Sequence, residues 1–311
     1  MKNYVNKNII NQNIKTIKIN FKLKKVIYAH DDTIHLISSF PSGNFISVSN
    51  DRTIKIFDNN LNNIQTIIDA HDDNINYVDI KDENNFMTCS YNCIKTFNKN
   101  SFQNNIFRFN KIIKNAHYDT IYCIKYYLNT NIISCSRDKT IKLWEEKNEQ
   151  YQCITIIKLS LCIKSLLILK TKNIFISSGF EGTNLWNMYN FECITNIKEV
   201  ICYNTNMLKE LDDDRIIVGD DIIKVISISN KTIIKEINNE FRCIGLCVIR
   251  EKKIFLIGGY DNKIRIYRSD IFELIETINN AHDDWIYGFT QLKNDLIATY
   301  GRDRIIKIWL I

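Results

Sequence analysis

The chain has 311 residues, 45% hydrophobic and 24% charged, a balance that excludes a disordered chain and allows one large all-β domain or two ordinary ones. One proline and nine glycines leave no linker-like stretch to divide it. The net charge of +6 is spread along the whole chain, so charge alone does not mark a nucleic-acid binder.

The N-terminal MKNYVNKNIINQ lacks the apolar core of a secretory signal, and no run approaches the ~20 apolar residues that span a bilayer. Ten cysteines then read as free thiols in a reducing compartment, and a cytoplasmic or nuclear location is expected. Residues 1–20, with IKTIKI among them, read as a tail or an extra edge strand. Phe21–Ile27 (FKLKKVI) reads as a strand, with Lys22, Lys24 and Lys25 along its wet edge. After Ala29-His30 come four short strands: Ile34–Ser39, Phe45–Ser49, Thr53–Asp58 and Asn63–Ile68. Within them ISVSNDRTIKIF alternates apolar and polar residues across a short polar turn, a hairpin signature.

This unit recurs. Ala-His pairs stand at Ala29-His30, Ala70-His71, Ala116-His117 and Ala281-His282; the first three are spaced by about 40 to 46 residues and the last follows after about four such periods. SNDRTIKIF, SRDKTIKLW, GYDNKIRIY and GRDRIIKIW each carry a turn acid (Asp51, Asp138, Asp261, Asp303) and, six positions later, an aromatic residue (Phe57, Trp144, Tyr267, Trp309). Weaker copies end at Phe97 and Trp186, and a third holds Asp220 and Asp221. Seven units of four strands every ~40–45 residues predict an all-β, seven-bladed β-propeller with four-stranded antiparallel blades over residues 21–311. The last unit stops at Ile311 after its third strand, whereas FKLKKVI resembles the fourth strands QYQCITII and IFELIETI. The N-terminal strand is therefore expected to complete the last blade and close the ring.

These units resemble WD repeats, with Ala-His in place of the usual Gly-His, and the resemblance covers nearly the whole chain. It implies a structural network in each blade, joining His117, Asp138 and Trp144, and likewise His282, Asp303 and Trp309. Blade 1 keeps His30 and Asp51 but has Phe57; blade 2 keeps His71 without a turn Asp; blades 4 to 6 have no His and must depend more on apolar packing. The Trp-Asp dipeptide itself is absent. Marks of two specialised branches are absent too. Neither Trp144-Glu145 nor Trp186-Asn187 fits the Trp-Asp-x-Arg of ubiquitin-ligase receptors, and FRCIG at Phe241–Gly245 lacks the second Arg of the lipid-binding Phe-Arg-Arg-Gly.

No catalytic residue, metal site or cofactor is assigned. His/Asp pairs repeated at one point of every blade read as scaffolding, because a buried His needs a partner and a nearby Asp fixes its ring. Cys89/Cys93 and Cys243/Cys247 have neither zinc-finger spacing nor matching ligands. GFEG at Gly179–Gly182 lacks the Gly-Lys-Ser/Thr of a phosphate loop, and no strand–turn–helix nucleophile elbow exists, so a propeller hydrolase has no support.

Topology points to where a partner would bind. Inter-blade loops and the turns between second and third strands share one rim, the face on which the resemblance implies binding. Three positions per blade point there: Trp285, Tyr287 and Arg302 in blade 7; Thr120, Tyr122 and Arg137 in blade 3; Thr33, His35 and Asn50 in blade 1. By alignment blade 4 adds Cys162, Lys164 and Phe180, blade 5 adds Asp220, and blade 6 adds Arg242 and Tyr260. Trp, Tyr and Arg dominate interface hot spots, so blades 6, 7 and 1 are the expected binding sector. The expected function is a non-catalytic scaffold, itself a monomeric propeller, that binds a partner protein or peptide within a multiprotein complex. Direct RNA contact in a ribonucleoprotein is the alternative, since Arg beside aromatics also stacks on bases.

Overall fold

The computed structural model describes residues 19–99 and 106–311. The reading of residues 1–20 as a tail or edge strand thus lies almost wholly outside the described residues. The described chain forms seven four-stranded antiparallel sheets, and two 3-10 turns at Lys170–Lys172 and Arg250–Lys252 are its only helical pieces among those residues. This is the seven-bladed propeller.

In blades 1 to 6 the spatial order of strands is the order in the chain, from Ile34–Ser39 innermost in blade 1 to Leu274–Ile278 outermost in blade 6. Blade 7 breaks that order in the manner expected. Ile286–Gln291, Leu296–Gly301 and Ile305–Leu310 are completed by Lys22–Tyr28, one residue later than the sequence suggested. Val26 lies opposite Lys307 and Tyr28 opposite Ile305. First strands of successive blades touch in an unbroken circle, blade 7 against blade 1 included.

Burial follows position within each blade. The second strands Phe45–Ser49 and Ile132–Ser136 are buried at every residue, because both faces meet neighbouring blades. Lys22–Tyr28 is almost wholly exposed, so its period-two pattern fades. In four blades the aromatic at the end of the third strand packs inward on an aromatic cross-strand partner. Phe57 stacks on Phe45 (4.7 Å), Phe97 on Phe86 (4.9 Å), Tyr267 on Phe255 (5.1 Å) and Trp186 on Phe175 (5.8 Å), each directly opposite in register. Such pairs contribute about 0.5–1.5 kcal/mol each beyond their burial. Blades 4 and 6, which lack His, therefore keep this second source of cohesion.

One irregularity recurs and matters for the site. In blades 1, 3, 4, 6 and 7 the first strand shifts register by one residue near its start, at His35, Tyr122, Lys164, Ile244 and Tyr287. A bulge leaves one residue unpaired and re-aims its side chain. Four of these five residues belong to the candidate rim positions.

Candidate partner-binding rim

The His/Asp positions form hydrogen-bonded chains inside the blades. In blade 3, Trp144 Nε1 donates to Ser134 Oγ (2.9 Å), Ser134 contacts His117 Nε2 (2.7 Å), and His117 Nδ1 meets Asp138 Oδ2 (2.8 Å). Burial outweighs the pull of Asp138 and lowers the His117 pKa, so the ring is a neutral Nδ1–H tautomer that donates to Asp138 and accepts from Ser134. Burial alone would raise the Asp138 pKa, but hydrogen bonds from His117 and Thr140 hold it well below the usual carboxylate range. Blade 7 repeats the chain through Trp309, Thr299, His282 and Asp303 (2.9, 2.6 and 2.7 Å). Blade 1 stops at Ser47, since Phe57 has no N–H to add.

Blade 2 finds a substitute for its missing Asp. His71 Nε2 bonds Thr88 (2.8 Å), and Nδ1 lies 3.3 Å from Cys93 Sγ. Cys–His contacts occur in nucleophilic sites, but the electrostatics here are inverted. Burial and Lys95 push the His71 pKa down to about 3, and burial raises the Cys93 thiol. The pair is neutral and holds the turn. Ser134 and Thr299 were not identified from sequence, and Cys93 was noted there only as half of a cysteine pair unsuited to zinc.

The candidate rim residues mostly join into one ladder. Arg302 lies over the Trp285 ring (4.5 Å), and Trp285 stacks on Tyr260 (4.0 Å, 16°). Arg242 spans Tyr260 (5.7 Å) and Tyr203 (5.5 Å). Tyr203 meets Phe180 edge-on (4.8 Å), and Lys164 bridges Phe180 (5.9 Å) to Tyr122 (3.5 Å). Cations thus alternate with aromatic residues from blade 7 through 6, 5 and 4 to blade 3. Tyr203, in the loop entering blade 5, was missed because it lies four residues before Met207, the counterpart of Trp285, and so outside the three positions aligned in each blade.

Blade 1 stands apart from the ladder. His35 bonds Asn50 Oδ1 (2.5 Å) and meets Tyr287 edge-on (5.7 Å), both half-buried beside the channel mouth. Arg137 covers no ring; it is exposed and faces Asp119 at 3.7 Å. Asp220 takes the place of the turn acid, one position on from the rim position assigned to it. Gly219 N donates to Met207 O, as Arg302 N donates to Trp285 O, so Gly219 fills that rim position. Gly301 lets the Trp285 carbonyl approach, for a Cβ there would stand 1.9 Å from that oxygen.

The cations are held in place. Asp284 faces Arg302 (3.7 Å) and Asp220 faces Arg242 (3.3 Å), whereas Lys164 has no acid partner among the described residues. Trp285 has Tyr260 and Arg302 on its two faces. Among the described residues no cluster of His, Cys, Asp and Glu is arranged to hold a metal, and no helix is long and apolar enough to cross a membrane.

The family model described as WD domain, G-beta repeat matches residues 21–58 and 110–145. Seven four-stranded blades are built around the same repeat, so the chain is a seven-bladed β-propeller similar to WD-repeat proteins. It is similar to p21-activated protein kinase-interacting protein 1-like of Danio rerio, at 24% identity over 204 residues. That alignment covers 62% of this chain and 53% of the relative, so the match spans about half of that protein's length.

Proposed function

We propose that this protein is a non-catalytic interaction scaffold whose rim ladder receives a partner protein or peptide. The observation that carries the reading is the continuous alternation of Arg302, Trp285, Tyr260, Arg242, Tyr203, Phe180, Lys164 and Tyr122. Arg and aromatic side chains already fixed against one another lose little rotamer freedom on binding, which favours affinity. The name of the relative from Danio rerio records an interaction with a protein, which supports the same class of partner. RNA is the weaker reading, because base stacking needs open ring faces and both faces of Trp285 are occupied.

The test is affinity purification from the native cell with Trp285→Ala plus Arg302→Glu. The double variant is expected to lose at least one partner that the wild type recovers, with its melting temperature unchanged within a few degrees. Full partner recovery by the variant would overturn the rim assignment, and recovery of RNA in place of protein would overturn the partner class.

A further inference from the structure

The first strands enclose a channel on the ring axis, and its two ends differ. Near the rim it is crossed by Asn206, whose Nδ2 donates to the carbonyls of His35 (3.2 Å) and Tyr287 (3.3 Å). This side chain ties blade 5 to blades 1 and 7 and narrows entry from the rim. Beyond it lies a cavity of about 320 Å³, lined by Ser38, Ser39, Lys125, Lys209, Thr290 and Gln291 among others. Ser39 and Gln291 end their strands, and Lys125 and Thr290 stand one residue from the end of theirs. First strands start at the rim, so this cavity lies toward the opposite face.

The charges around the cavity do not balance. Lys125 Nζ is bound to Asp79 (2.8 Å) and lies over the Tyr77 ring (5.0 Å). Glu210 is taken by Arg250 (3.1 Å), and Gln291 donates toward Glu251 (3.5 Å). Lys209 has neither a hydrogen-bond nor an ion-pair partner among the described residues. Its ionisable neighbours are another cation, Lys125, and the thiols of Cys247 and Cys123. Burial, and then Lys125, lower its pKa, as an uncompensated cation requires. A half-buried ammonium without an acid partner and with a second cation near it is stabilised when an anion lies beside it.

We propose that the channel, entered from the face opposite the rim, binds a small oxyanion, a phosphate group either free or carried on a small polyol, with Lys209 as its principal contact and Lys125 beside it. Thr290 already donates to Ile37 O (2.6 Å), so the lysines rather than the hydroxyl provide the recognition.

Purified full-length protein is titrated with inorganic phosphate and, separately, with inositol hexakisphosphate, at ionic strength matched with chloride. Melting temperature and isothermal calorimetry are read for the wild type, Lys209→Met and Lys209→Gln. The wild type is expected to show a saturable rise in melting temperature with at least one phosphate ligand and none with chloride. Both variants are expected to bind at least tenfold more weakly. Lys209→Met, which removes the uncompensated charge, is expected to melt no lower than wild type without ligand. A response to inorganic phosphate identifies the free ion, and a response to inositol hexakisphosphate alone identifies the polyol-borne group. Absence of a saturable shift with either ligand, or undiminished binding by the variants, would overturn the site. Should Lys209→Met fail to fold, Lys209→Gln decides by the same two readouts.

Discussion

Ser134 is the residue on which blade 3 turns. Its hydroxyl serves both the Trp144 indole and His117 Nε2, so Ser134→Ala leaves two buried polar atoms without partners. Each such loss costs about 1–3 kcal/mol, which predicts a total of about 2–6 kcal/mol. In blade 4, Ser177 binds the Trp186 indole (2.9 Å) with no His in the chain, so Ser177→Ala strands one group and costs about half as much. Urea unfolding of the two variants checks the order, and equal losses would show that the His does not depend on the hydroxyl. The resemblance to known repeats implied the ends of this chain, His117, Asp138 and Trp144, but not its middle. A serine within ISCS looks like any small strand residue, and its partners lie 17 and 10 positions away. Cys93 was read only as half of a cysteine pair unsuited to zinc: a thiol beside a neutral His does the work of the missing Asp only once the turn has placed it there.

At the scale of the strand, closure by Lys22–Tyr28 was legible because the last unit lacked a fourth strand and the N-terminus held a matching one. The sheet places it on Ile305–Leu310, joining the two ends of the described chain. Deleting residues 22–28 would bare that edge, where unpaired backbone groups template pairing with another copy. The expected result is a lower melting temperature, a broader calorimetric transition and concentration-dependent association on size-exclusion chromatography. A truncated protein that remains monomeric and melts with wild-type sharpness would show that the ring does not need its closing strand. The bulges were less legible. They place His35, Tyr122, Lys164 and Tyr287 out of strand alternation, and nothing in local composition distinguishes a bulged residue from a paired one. Alignment to the repeat favoured blades 6, 7 and 1, whereas the contacts between side chains run from blade 7 toward blade 3 through blade 5 and leave blade 1 aside.

Across the whole molecule, cohesion is uneven, and blade 5 is its weakest part. It has neither the His nor the third-strand aromatic of the stronger blades, its first strand spans only Leu208–Glu210, and Asp220 Oδ2 is buried without a partner. The apolar core divides beside it: one cluster runs from blade 7 through blades 1 to 3 into blade 4, another gathers around blade 5 and its neighbours, and a third joins blades 6 and 7. Asn206 offsets this weakness by reaching across the channel to the carbonyls of His35 and Tyr287. Regions with fewer internal bonds open at lower free energy and exchange their amide hydrogens sooner. Under native conditions the amides of Leu208–Val218 should therefore exchange faster than those of Ile121–Ser136. Asn206→Ala should widen that gap, since two bonds of about 1 kcal/mol each are lost to blade 5 and none to blade 3. Hydrogen exchange read by mass spectrometry separates local from global loosening: a gain confined to blade 5 supports this account, whereas equal gains in blades 3 and 5 would mean that Asn206 stabilises the ring as one cooperative unit. The Tyr203 rung of the ladder lies in the same loop as Asn206, so the loosening should also weaken partner binding while leaving the hydrogen-bonded chain of blade 3 intact.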